Sequence, residues 1–287
     1  MTDLPSMHGK RCVITGATSG IGEATALALA SAGAELSLVC RSPERAEETL
    51  ARIHQAVPEA AVDLVFADLS AQAQVRHAAQ QILADPRPIH VLLNNAGVVQ
   101  LSRTTTVDGI ETTFAVNHLA YFLLTMLLLE RIRETPAARI VNVASEGHRF
   151  SRMDFDDLGH EKRFRWMQVY GQSKLANILF TRELARRLEG SGVTVNSLHP
   201  GGVSTQLGAN NATRLHGFVM ALAKPFMKTP EQGARTSIYL ATSTEVADVT
   251  GEYFANCKRK RGSRESEDAD IADRLWQVSE ELTGWAG

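Results

Sequence analysis

Short apolar runs at residues 12–15, 36–40, 62–66, 90–93, 139–143, 193–198 and 252–254 alternate with longer stretches in which apolar side chains return every three or four positions. The runs have the length of strands, and the stretches 21–32, 43–55, 71–84, 107–133, 168–190 and 230–242 have the period of helices. This alternation predicts an α/β fold, a doubly wound parallel sheet of about seven strands with helices on both faces. Val91, Leu92 and Leu93, and again Ile140, Val141, Val143 and Ala144, form nearly continuous apolar runs, as strands covered on both sides require. Ser42 before Pro43, with Glu44, Glu47 and Glu48 following, marks a helix start: a capping hydroxyl, a ring that presets φ, and acids near the positive end.

A chain of 287 residues, 44% hydrophobic and 22% charged, is long enough to bury a full α/β core, and a single domain over 1–287 is expected. The net charge of −2 gives no long-range pull toward nucleic acid or anionic lipid and says little else about partners; no nucleic-acid partner is expected, and the small-molecule partner expected here comes from the chemistry of the candidate site. Cys12, Cys40 and Cys257 are odd in number and widely spaced, which suits a reducing compartment, and no Cys/His spacing resembles a metal site. Residues 1–11 are too polar for a signal peptide or anchor, and the longest apolar stretch, 120–129, is about half of the ~20 residues a bilayer span needs. A cytoplasmic protein without a membrane anchor is the expectation. The basic stretch 258–264 reads as a solvated loop in preference to a nucleic-acid tract.

The first strand runs into Thr15-Gly16-Ala17-Thr18-Ser19-Gly20-Ile21-Gly22 and then a helix. Gly16, Gly20 and Gly22 let a tight strand-to-helix turn approach a ligand, and the helix start offers N–H groups and partial positive charge to a pyrophosphate. The spacing is GxxxGxG, not the GxGxxG of the common dinucleotide fingerprint, and a glycine-rich turn can also be purely structural. The second strand ends Val39-Cys40-Arg41-Ser42, with no acid to accept from a ribose 2′-hydroxyl. A guanidinium there suits the 2′-phosphate of NADP(H) over NAD(H), and Arg45 lies one helical turn on. Asp68, followed by Leu69, can cap the next helix or accept from an adenine amino group. Asn94, Asn95, Ala96 and Gly97 end the fourth strand at the sheet edge where open α/β folds bind ligands.

Tyr170 and Lys174 are four apart in a helical pattern and share one face. An ammonium beside a phenol favours the phenolate and so lowers the tyrosine pKa, which readies it to exchange a proton with an alcohol or ketone. Such a pair is common in helices. It gains meaning from Ser145 at the end of the preceding strand, where a hydroxyl can orient a substrate oxygen.

Taken in order and spacing, Thr15 to Gly22, Asn94 to Gly97, Asn117, Ser145, Tyr170-Gly171-Gln172-Ser173-Lys174 and Pro200-Gly201 resemble the short-chain dehydrogenase/reductase family, whose members have a Rossmann-type fold. The resemblance implies Tyr170 as the acid/base, Lys174 as the residue that lowers its pKa and binds the nicotinamide ribose, and Ser145 as the group that positions the carbonyl. It further implies Asn117 as the asparagine that holds a water in the proton relay. Gly16, Thr18, Ser19, Gly20, Ile21, Gly22, Arg41, Arg45, Asp68, Leu69, Asn95, Ala96, Gly97, Pro200, Gly201, Val203 and Thr205 would contact the dinucleotide, with Thr205 on the nicotinamide carboxamide.

Phe155-Asp156-Asp157-Leu158, Ser173-Lys174-Leu175-Ala176-Asn177, His199-Pro200-Gly201, Gly251-Glu252-Tyr253-Phe254 and Arg274-Leu275-Trp276 are similar to the retinol-dehydrogenase-like branch, which includes the oxidoreductase domain of WW-domain oxidoreductases. That branch usually prefers NADP(H), and many of its retinoid enzymes carry an N-terminal anchor; the expectation here is a chain without such an anchor and without WW modules before the first strand.

Residues 146–167 and a lid over 202–228 would border the substrate. Phe150, Phe155, Phe164, Trp166, Leu207, Phe218, Met220 and Phe226 are available to line a pocket for a lipophilic aldehyde, ketone, retinoid or steroid-like compound, or to pack the lid on the core. Mobility is expected over 208–217. Phe122, Met126, Phe180 and Leu184 give two helices apolar outer faces that suit a homodimer or homotetramer, or plain core burial. The competing functional reading is a non-catalytic NADP-sensing or scaffold protein on the same fold.

Overall fold

The computed structural model describes residues 4–202 and 228–285. Seven parallel strands, β1 (Arg11–Thr15), β2 (Glu35–Cys40), β3 (Val62–Phe66), β4 (Val91–Asn94), β5 (Arg139–Val143), β6 (Thr194–His199) and β7 (Tyr253–Ala255), form one sheet. An eighth, β8 (Lys258–Arg259), turns back antiparallel to β7, and the spatial order is β3-β2-β1-β4-β5-β6-β7-β8. The seven expected strands all form within a residue or two of their predicted ends, and β8 corrects the count to eight. Its two residues are too short for a periodic signal, and they belong to the basic stretch read as a loop. That stretch is also tied down by its backbone: the carbonyls of Arg261 and Gly262 accept from Arg149, and the Ser263 N–H donates to His148.

Alternate residues of the strands feed two cores. Cys12, Ile14, Leu36, Leu38, Val141 and Val143 face one layer, with α1 (Gly20–Ser31), α2 (Pro43–Ala56) and α7 (Pro230–Thr242). Val13, Val39, Leu92, Ile140 and Val195 face the other, with α3 (Gln72–Ala84), α5 (Ala120–Arg133) and α6 (Trp166–Arg187). Burial on both faces explains why the central runs are apolar throughout.

A short α4 (Thr112–Phe114) passes through a π turn, Ala115–Leu119, into α5. The helix starts later than its apolar pattern because Glu111 caps it, accepting from the N–H groups of Thr113 and Phe114 at 2.8 and 2.7 Å. Thr112–Arg133 as one unit is long and apolar enough to cross a bilayer by length and composition, a longer stretch than the ten apolar residues at 120–129 suggest; 83% of its most apolar window is buried inside the fold, which makes it a core helix.

The C-terminal helix α8 (Ala269–Thr283) went unpredicted. Its Trp276 meets Phe122 edge-on at 5.1 Å and Phe180 at 6.0 Å between ring centres. Phe122, Met126, Phe180 and Leu184 are thereby core residues, at most 6% exposed. Their apolar character comes from packing within this chain, so they supply no argument for a dimer or tetramer.

Candidate active site

Strand order reverses between β1 and its neighbours β2 and β4, and the crevice opened at that point is where a doubly wound sheet binds ligands. A cleft of about 690 Å³ lies there, over the carboxyl ends of the strands.

Its floor is the turn from β1 to α1. Gly16 and Gly20 have φ of 67° and 55°, the left-handed region. A Cβ on Gly16 would come within 2.7 Å of the Ala96 Cα, and one on Gly22 would overlap the Gly16 carbonyl oxygen and lie 2.5 Å from Asn95 Nδ2. Ser19 precedes the helix in extended conformation without a side-chain cap bond, so the helix start keeps its positive end for a ligand.

The turn is held from β4. The Thr15 hydroxyl accepts from the N–H groups of Asn95 and Ala96 at 2.9 and 3.0 Å, and Asn95 Nδ2 donates to the carbonyls of Thr15 and Gly16 at 3.0 and 3.1 Å. Tyr121, from α5, donates to the Ala96 carbonyl at 2.7 Å. Asn94 points away from the cleft, donating to Asn142 and Thr125 in a buried polar chain at 2.9 Å each. Of the amides at this strand end, one therefore serves the core and one the turn.

Arg41 and Arg45 are exposed at the far end of the cleft, and among the described residues neither guanidinium makes an ion pair or hydrogen bond. Ser42 caps α2, accepting from the Arg45 N–H at 3.3 Å, which sets Arg45 beside Arg41. Asp68 and Leu69 line the same end; Asp68 Oδ1 accepts from the Ser70 N–H at 2.9 Å in the turn before α3, whose cap position is Ala71, so Asp68 does not cap that helix as one of its two predicted roles had it.

At the other end stand Ser145, Tyr170 and Lys174. Ser145 follows β5 and caps the 3-10 turn Glu146–Phe150, its Oγ accepting from the Gly147 N–H at 3.1 Å, and it faces the same cleft as Tyr170. Lys174 Nζ donates to the Val143 carbonyl at 3.0 Å and lies 5.9 Å from the Tyr170 ring centre. Burial pushes the Lys174 amine down to about 7. Burial also raises the Tyr170 phenol above its ordinary value, against a smaller lowering by Ser145. Loss of water is the leading influence on both groups in the cleft, and the Lys174 amine is in addition bonded to a carbonyl.

Asn117 lies on the π turn just behind the cleft. Its Oδ1 accepts from the Val98 N–H at 2.8 Å, and its Nδ2 donates to the Val98 carbonyl and the Ser173 hydroxyl, both at 3.0 Å. A Cβ on Gly97 would sit 3.4 Å from Asn117 Oδ1 and 3.5 Å from Lys174 Nζ, in ordinary contact with both. Pro200 and Gly201 close the rim, and Gly201 has φ of 90°. Val203, Thr205, the mobility expected over 208–217, and Leu207, Phe218, Met220 and Phe226 fall outside the described residues, as does nearly all of the lid expected over 202–228.

Thr18 and Ile21 also line the cleft, as do Val98, Gln100, Thr112 and Val116, which the sequence reading missed. The glycine cradle, the open helix start and the unpaired guanidinium pair suit a dinucleotide carrying phosphates at both places.

A sequence profile described as short chain dehydrogenase matches residues 10–215. The chain is 43% identical to retinol dehydrogenase 12 of Mus musculus over 96% of its own length and 87% of that protein. Among solved structures, an uncharacterized protein from Mycobacterium Paratuberculosis matches with a TM-score of 0.79 at 32% identity, covering 98% of this chain and 96% of that one. RhlG of Pseudomonas aeruginosa, in an active-site complex with NADP, matches with a TM-score of 0.70 at 26% identity over 95% of this chain and all of its own.

Proposed function

The chain belongs to the short chain dehydrogenase family, in its retinol-dehydrogenase-like branch, and on that premise we propose that it interconverts a carbonyl and an alcohol with NADP(H), Tyr170 exchanging the proton. The observation that carries this reading is the meeting of Ser145, Tyr170 and Lys174 in one cleft with the glycine turn. A bound nicotinamide dinucleotide supplies or removes the hydride.

In the reducing direction the raised pKa of Tyr170 keeps its phenol protonated at neutral pH, so the O–H is a donor to the substrate oxygen as charge builds there. Ser145, facing the same cleft, orients that oxygen. Lys174, brought to about 7, takes up or gives a proton at neutral pH and is held against β5 by the Val143 carbonyl. Asn117 keeps Val98 and the start of α6 in register with it. Preference for NADP(H) over NAD(H) rests on Arg41 and Arg45 and on the lack of an acid at the end of β2.

The substrate class we infer is a lipophilic aldehyde or ketone, retinoid-like or steroid-like. Phe150 and Met167, 80% and 65% exposed, and Trp166 at 38% sit on the two elements that carry Ser145 and Tyr170, apolar side chains left open to solvent though not lining the cleft itself. Phe155 is instead half-buried against the cluster of Phe114, Leu175 and Leu275, with Arg274 stacked on its ring at 4.3 Å. The free thiols Cys12, Cys40 and Cys257 support a cytoplasmic location. Oxidation of NADPH by purified protein across aldehydes and ketones of increasing apolar size tests the reading; kcat/KM should rise with apolar size, and no turnover across the series would refute it.

A further inference from the structure

We propose that His148 is a positioning residue that fixes Ser145 by tying the Ser145 backbone carbonyl to the turn after β8. This rests on the reading of Ser145 as the group that orients the substrate oxygen.

His148 is completely buried, 0% exposed, in the 3-10 turn that Ser145 caps. Both ring nitrogens are engaged. The Ser263 backbone N–H lies 3.1 Å from Nε2, and since a backbone N–H only donates, Nε2 carries the lone pair and the ring proton resides on Nδ1. Nδ1–H then donates to the Ser145 carbonyl at 2.7 Å. With its Oγ accepting from the Gly147 N–H, Ser145 is gripped at both its carbonyl and its hydroxyl oxygen, on the rim of the cleft it shares with Tyr170. Desolvation lowers the His148 pKa, in keeping with a neutral ring; a proton on Nε2 would face the Ser263 N–H donor to donor.

The far end of this tie is itself anchored. Arg149 donates to the carbonyls of Arg261 and Gly262, and Tyr253 packs edge-on against the imidazole at 5.1 Å. A Cβ on Gly262 would overlap the Ser266 hydroxyl, so this turn packs against the start of the next 3-10 turn only with glycine there. The basic stretch after β7 is thus accounted for by its backbone, which reaches across 115 residues of sequence to brace the serine turn.

Two measurements test this. Nitrogen-15 NMR of the histidine-labelled wild-type protein, with His148 assigned through its contacts with Tyr253, should show a neutral Nδ1–H ring; an Nε2–H ring would overturn the proposal whatever the catalytic chemistry. For the effect on Ser145, His148→Asn keeps an amide nitrogen near the Nδ1 position, whereas His148→Gln reaches only the Nε2 end. The Gln variant should lose between about 10- and 100-fold in kcat with KM for NADPH within about twofold, and the Asn variant should stay within about threefold of wild type, at similar melting temperatures. Equal losses in both variants, or wild-type kcat in the Gln variant, would contradict it. Reduction that survives Tyr170→Phe would instead refute the catalytic reading, and the NMR result would still decide whether His148 grips Ser145.

Discussion

Lys174 Nζ donates to the carbonyl of Val143 at 3.0 Å, so the amine of α6 is held by the end of the strand that delivers Ser145. The bond joins the two elements that carry the candidate proton-transfer groups, and it keeps the amine 3% exposed.

Burial of Lys174 bears on both stability and rate. Its pKa is about 7 in the folded state against an ordinary 10.5, so between these values the unfolded chain binds more protons. The cost of burying the amine is therefore fully present below about pH 7 and is relieved as pH rises toward 10.5. Lys174→Met should remove this rise, flattening stability against pH over that window in urea melts, while kcat falls about 100-fold or more. An unchanged pH slope in the variant would contradict the assignment.

Arg41 and Arg45 should read the 2′-phosphate. Arg41→Asp should raise KM for NADPH about 10- to 100-fold, the worth of a charged hydrogen bond, and lower it for NADH. Steady-state kinetics with both cofactors check this, and an unmoved ratio would mean that the phosphate is recognised elsewhere.

Gly22 should tolerate no side chain. Its Cβ would meet the Gly16 carbonyl and Asn95 Nδ2, both parts of the clamp that shapes the turn. Gly22→Ala should cost about 1–3 kcal/mol of stability and weaken NADPH binding, whereas Gly202→Ala, with no described residue within 4 Å of its Cβ, should melt like wild type. Thermal melts with and without NADPH distinguish the two.

The parts of this structure that lie close together in sequence were legible in it. Strands covered on both faces announced themselves as unbroken apolar runs, and the glycine turn, Ser145, Tyr170 and Lys174 stood at spacings that survive folding unchanged. What depended on contacts between distant segments was not. Thr15 meets Asn95 across 80 residues and His148 meets Ser263 across 115, and no local pattern encodes either pairing. The helix α8 carries buried Ala272, Leu275, Trp276 and Ser279 at helical spacing, but no strand follows it to mark it as part of the alternation. How far phenol and amine are desolvated depends on the folded cleft, which the i, i+4 spacing of Tyr170 and Lys174 does not encode.

The central claim is that the Tyr170 hydroxyl moves the proton, and Tyr170→Phe tests it most directly because the ring stays and only the O–H is lost. With NADPH and a lipophilic aldehyde, kcat should fall by about 100-fold or more while NADPH affinity, followed by fluorescence titration, stays within about twofold. Turnover at the wild-type rate in this variant would contradict the account.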